Sequence, residues 1–149
     1  VKLSHFDDQG LVRMVNVSDK TTQYRTAIAE GHLRVNPETL GLVEQLELPK
    51  GSPFEIARIA GIQAAKQTPT LIPLCHSLNL DYIDIEIKPE STGFAIRSQV
   101  ICQRSTGVEM EALTAVSIAG LTLYDMCKAV DPTMTLEGIR LVKKTKGKE

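Results

Sequence analysis

The chain has 149 residues, 42% of them apolar and 23% charged, with a formal net charge of −1. These values describe one globular domain, residues 1–149, able to bury roughly two thirds of its unfolded surface; they argue against a nucleic-acid platform, which is normally clearly basic. Three widely spaced cysteines, Cys75, Cys102 and Cys127, exclude a disulfide framework and point to free thiols in a reducing compartment.

Residues Leu11–Val17 and Tyr24–Val35 read as strands, with Gly31 marking a bulge in the second. Asn36-Pro37-Glu38 predicts a helix start, with Asn at the N-cap, Pro at the first helical position and an acid in the first turn. That helix runs to about Leu46. Ser52-Pro53-Phe54-Glu55 opens a second helix as a capping box, and the helix stops near Gln67, before Pro69. Its small residues Ala57, Ala60, Gly61, Ala64 and Ala65 allow close packing.

From Leu80 to Lys88 apolar and charged residues alternate. Pro89 to Gly93 forms a turn cluster, and Phe94, Ile96, Ser98, Val100 and Cys102 share one face of a returning strand. Thr106-Gly107-Val108-Glu109 is a further capping-box pattern, opening a helix to about Val130. A last strand covers Thr135–Lys143. Strands and helices mix without strict βαβα alternation, which indicates an α+β fold, a largely antiparallel sheet packed with helices in a ferredoxin-like manner.

Between Ala112 and Tyr124 no residue is charged. A helix apolar all round is buried all round, and one thin sheet covers only one side, so the other side is expected to meet another subunit. The stretch is too short to cross a bilayer, which takes roughly 20 residues. No basic segment followed by an apolar run is visible, so we expect a cytoplasmic, membrane-free protein.

Polar groups gather beside apolar structure in four places: Lys50-Gly51, Leu74-Cys75-His76, Thr106 to Glu111, and Tyr124 to Lys128. Each has a plain structural reading beside a functional one. Lys50 suits a solvated loop, and His76 a hydrogen-bonded residue between apolar runs. Glu109 suits the capping box, and Glu111 the helix dipole. Asp125 and Lys128 suit a surface ion pair three residues apart, although Asp is a poor mid-helix residue. Adjacent Cys75 and His76 rarely share one ion, and no zinc interval, phosphate loop or nucleophile motif is present; no metal and no cofactor are expected.

Four strings go further: Ala57 to Lys66 (ARIAGIQAAK), Leu71 to His76 (LIPLCH), Thr106 to Thr114 (TGVEMEALT) and Leu123 to Val130 (LYDMCKAV). In order and spacing they resemble the molybdenum cofactor biosynthesis C proteins, the MoaC family, over about Met14 to Lys144. The resemblance implies a lyase-type rearrangement of a GTP derivative already cyclised between base and ribose (3',8-cyclo-7,8-dihydro-GTP) into cyclic pyranopterin monophosphate, with loss of pyrophosphate. It places the catalytic aspartate on Asp125 and catalytic lysines on Lys50, Lys128 and Lys144. It places substrate-binding groups on Leu74, Cys75, His76, Glu109, Met110 and Glu111. It also implies a hexamer, a trimer of dimers.

Three positions depart from the family pattern. Asn16 stands where Asp is frequent, Ser77 where Pro is frequent, and a Gly-rich tail is reduced to Lys146-Gly147-Lys148-Glu149. Lysines 50, 128 and 144, helped by Arg25 or Arg58, would neutralise a triphosphate. Glu111 and Asp125 lie fourteen positions apart on one predicted helix, about 21 Å. One pocket is not easily reached by both from one chain, so a shared site is expected. The alternative is a non-catalytic oligomeric binding or assembly module for a pterin or nucleotide, with its acid–lysine pairs as interface salt bridges.

Overall fold

The computed structural model describes residues 2–45 and 52–148. The elements run β1 (Gln23–Arg34), α1 (Pro37–Glu44), α2 (Pro53–Leu71), β2 (Tyr82–Glu90), β3 (Gly93–Arg104), α3 (Glu109–Cys127) and β4 (Thr135–Lys146). The strands form one sheet in the order β2-β3-β1-β4, antiparallel at every step. The fold is therefore α+β with an antiparallel sheet.

Period-two alternation sends Ala27, Ala29 and Leu33 of β1, and Phe94, Ile96, Ser98, Val100 and Cys102 of β3, to one buried face. Helices α2 and α3 cover that face and pack on each other. The approach is close because glycines stand where the layers touch. A Cβ added at Gly120 would lie 2.5 Å from Leu136 Cδ1, and one at Gly31 2.8 Å from Val116 Cγ1. Between α2 and α3, a Cβ at Gly61 would lie 3.1 Å from the Ala115 carbonyl. Phe54 of α2 meets Phe94 edge-on, with ring centroids 5.4 Å apart.

Asn36 caps α1 as expected, its side chain accepting from the Thr39 N–H at 2.8 Å. The expected extension of this helix to Leu46 lies outside the described residues. The irregularity at Gly31 is also present. Pairing of β1 with β4 changes register between Glu30 and His32. Gly93 closes the β2–β3 hairpin with φ +148°, where a Cβ would meet the Leu33 carbonyl at 1.9 Å.

Several expectations are corrected. Leu11–Val17 is not a strand: β1 is flanked on both sides by β3 and β4, and this run makes only the isolated bridge of Val12 to Phe6. It folds back through Asp7, whose carboxylate accepts from the N–H groups of Gln9 and Leu11. Helix α2 does not stop before Pro69 but continues to Leu71. Proline cannot donate to the Ala65 carbonyl. The buried Thr68 hydroxyl does so instead, at 2.9 Å.

Pro89 belongs to β2, which tolerates it as an edge strand. Neither Ser52 nor Thr106 forms a capping box. Ser52 is an N-cap without a side-chain bond, and Glu55 turns to Arg58 at 3.2 Å. Helix α3 starts at Glu109 behind Val108 and ends at Cys127 rather than Val130, while β4 continues to Lys146. Helix α2 of the same chain packs on α3, while Leu121 of α3 remains 56% exposed. Among the described residues no helix is long and apolar enough to cross a membrane.

Candidate active site

Three segments converge at the N-terminal end of α3: the loop after α2 carrying Leu74, Cys75 and His76, the first turn of α3 carrying Glu109, Met110 and Glu111, and the N-terminal segment through Val15, Val17 and Lys20. They enclose a cavity of about 260 Å³. A second cavity of about 470 Å³ adjoins it, sharing Lys20, Thr106, Gly107 and Glu109 and adding Arg25, Lys144 and Lys146. The first is mixed in character, and the second carries a concentration of cations.

Glu111 is 3% exposed. Burial pushes its carboxyl up to about 7, against a smaller downward pull from its own backbone hydrogen bond, and the nearby charge of Glu109 adds to the rise. The group therefore exchanges a proton near neutral pH. Glu109, two residues earlier, accepts from Lys144 Nζ at 3.1 Å through one oxygen. Its other oxygen is buried and has no hydrogen-bond partner among the described residues. The capping role expected of Glu109 gives way to this cross-link from α3 to β4. Gly107 makes room for it: a Cβ there would lie 2.2 Å from Glu109 Oε2.

His76 Nε2 stands 2.6 Å from the Val15 carbonyl. A carbonyl only accepts, so Nε2 carries the proton, and in the neutral ring Nδ1 is left as the basic nitrogen. Cys75 is half-buried, and its thiol is pushed up by burial and then by the charges of Glu111 and Glu109. It is held as a thiol, unsuited to nucleophilic attack. Leu74 and Met110 add apolar wall. Arg25 is 8% exposed; Nη2 donates to the Ser105 carbonyl at 3.3 Å, and Nε is buried without a partner among the described residues.

The structure thus brings together Leu74, Cys75, His76, Glu109, Met110, Glu111 and Lys144. Lys50 lies outside the described residues. Asp125 and Lys128 occupy the opposite end of α3, a helix of 19 residues. They bond to each other at 3.0 Å, with side chains 54% and 57% exposed. Within the chain the pair is thus a half-exposed ion pair, on a turn whose Met126 and Cys127 are buried. Arg58 lines neither cavity and pairs with Glu55. Ser4, His5, Val15, Val17, Lys20 and Leu78 of the wall were not assigned to the site from the sequence. Only the local turn of residues 5–13 brings His5 there, and no spacing signals it.

A buried carboxyl, a histidine of fixed tautomer and a neighbouring cluster of cations are the groups that acid–base chemistry on a small anionic molecule would use. A family model described as MoaC family matches residues 14–147. A molybdenum cofactor biosynthesis bifunctional protein of Chlorobaculum tepidum is 55% identical over 99% of this chain and 47% of its own length. A cyclic pyranopterin monophosphate synthase of Chloroflexus aurantiacus is 52% identical over 99% and 91%, and that of Desulfatibacillum aliphaticivorans is 52% identical over 97% and 92%. The chain spans about half the length of the first and about nine tenths of the other two. This chain belongs to the MoaC family.

Proposed function

We propose that the chain is a cyclic pyranopterin monophosphate synthase, a phosphorus–oxygen lyase of molybdenum cofactor biosynthesis. Its substrate is 3',8-cyclo-7,8-dihydro-GTP, and its products are cyclic pyranopterin monophosphate and pyrophosphate. The observation that carries this reading is the buried carboxyl of Glu111, poised near neutral pH beside the Glu109–Lys144 pair. Opening the purine ring and reclosing onto ribose carbons requires protons to be taken and returned by groups of such pKa. His76 Nδ1 is a second acid–base atom.

The neighbouring cations suit the triphosphate. Arg25, Lys20, Lys144 and Lys146 line the second cavity. In the phosphate step a hydroxyl oxygen bonds to the α-phosphorus, its proton passes to a base, and the bond to the β-phosphate oxygen breaks as pyrophosphate leaves. Cations at the leaving group lower that barrier. We assign Asp125, Lys128 and Lys50 to the same chemistry, supplied across a subunit interface of a hexamer built as a trimer of dimers. The span of about 21 Å from Glu111 to Asp125 supports a shared site. The β-α-β-β-α-β order of the larger elements supports a ferredoxin-like assignment, and three free thiols suit the cytoplasm.

The exposed Asp125–Lys128 pair also fits the rival reading, a non-catalytic binding or assembly module in which it is an interface salt bridge. Conversion of the cyclised GTP to a pterin, followed as its fluorescent oxidation product, separates the two. Turnover by the wild-type chain supports the synthase, and binding without turnover supports the module.

A further inference from the structure

We infer that Asp131 is a positioning residue for the C-terminal end of α3, holding the turn that bears Asp125 and Lys128 against the start of α1. The inference rests on the reading above, that those two residues act in the site. Asp131 follows Lys128 by three residues and is fully buried. Both oxygens of its carboxylate are occupied. Oδ2 accepts from the Asn36 N–H at 2.8 Å and lies 3.1 Å from the Thr39 hydroxyl, whose proton is shared with Asn36 Oδ1. Oδ1 accepts from the Thr133 N–H at 3.0 Å and the Thr133 hydroxyl at 2.8 Å.

The backbone makes this latch continuous with the helix. The N–H groups of Val130 and Asp131 both donate to the Cys127 carbonyl at 3.0 Å, so the carboxylate is joined to the turn that carries Asp125 through Lys128. On the far side, Asn36 caps α1, and Val35 before it bonds to Thr92 of the β2–β3 turn at 3.1 Å. The end of α3 is thereby referenced to the sheet. Burial pushes the Asp131 carboxyl up, but the bonds from Asn36, Thr133 and Thr39 outweigh burial and hold it below the usual carboxylate range. A buried anion costs solvation that an apolar contact would not, while charge-assisted bonds supply direction as well as strength. Direction is what a catalytic turn needs, since a misplacement of about 1 Å costs up to about a hundredfold in rate.

The test compares Asp131→Asn with Val43→Ala, a packing change in α1 at a fully buried position, in the full-length protein well below both melting points. In Asp131→Asn the amide group must face donors on one side or the other, so one arm of the latch is lost in either orientation. We expect kcat to fall about tenfold or more, with KM within about twofold, while Val43→Ala keeps its kcat. Thr39→Val and Thr133→Val leave the charge in place and serve if Asp131→Asn does not fold; each should lower kcat severalfold, with Thr39→Ser restoring it. Wild-type kcat in the folded Asp131→Asn or in both valine variants overturns the inference, as does an equal loss in Val43→Ala. Asp125→Asn in the same assay separates the two levels. If it is inactive while Asp131→Asn matches wild type, only the positioning role fails; if it retains full turnover, the assignment of this end to catalysis fails, and the positioning role with it.

Discussion

The two ends of α3 place acids in opposite environments on one continuous helix. At its start Glu111 is buried with the Glu109–Lys144 pair beside it, and its proton affinity is set by the protein's own interior. At its end Asp125 and Lys128 are half-exposed and bonded to each other, on a turn whose backbone runs into the latch of Asp131. The first end is tuned within one chain. The second is a half-exposed ion pair held at the end of the helix.

The largest effect is expected at the exposed end. Asp125→Asn should lower turnover of the cyclised GTP by about two orders of magnitude or more, as loss of a general acid or base does. Its melting point and sedimentation profile should hardly change, because an exposed ion pair contributes about 1 kcal/mol or less. Near wild-type turnover would reduce the pair to a surface salt bridge and break the comparison.

At the buried end, Glu111→Gln should lower kcat by about a hundredfold and remove a limb of the pH–rate profile near 7. It also has a stability signature. The folded pKa is raised from 4.5 to about 7, so the stability contributed by the protonated carboxyl is fully present below about pH 4.5 and is lost as pH rises through 7. At about 1.4 kcal/mol per pH unit the loss is of order 3 kcal/mol. Thermal melts at pH 5 and pH 8 should show that loss in the wild type and a flattened difference in Glu111→Gln. An unchanged slope would refute the burial argument.

Lys144→Ala frees Glu109 from its cation. We expect kcat/KM to fall about tenfold with kcat lowered as well, because a cation at the leaving group stabilises the charge that develops there; a titration in rising salt should weaken the wild type more than the variant. Smallest of all is Cys75→Ser. With the thiol held protonated, the substitution should leave kcat within about threefold, the scale of a neutral hydrogen-bonding change. Loss of all turnover there would make Cys75 a candidate nucleophile.

Much of this was legible in the residues. Alternation from Leu80 to Cys102 announced the hairpin and its buried face, since burial in a strand repeats every second residue. Asn36-Pro37-Glu38 announced a capped helix, because that chemistry is local. The strings around Cys75-His76, Glu109 to Glu111 and Asp125 to Lys128 supplied candidate site residues through resemblance rather than through any spacing rule. Local rules failed where a distant group took over. Thr106 and Glu109 have the pattern of a capping box, but Lys144, thirty-five residues away, holds the carboxylate. Pro69 should have ended α2, but Thr68 satisfies the carbonyl that proline cannot.

By itself, then, the sequence determined the types of the elements β1 to β4 and α1 to α3, though not the lack of a strand at Leu11–Val17, together with the absence of charge along the centre of α3 and the chemical kinds gathered near its ends, all of which follow from residue identity and short-range spacing. Only the tertiary structure decided what those groups became. Desolvation of Glu111, the tautomer of His76 and the latch of Asp131 on Asn36 and Thr133 each depend on atoms brought close from elsewhere in the chain. Proton affinity and orientation are properties of that surrounding field, and no single stretch of residues carries it.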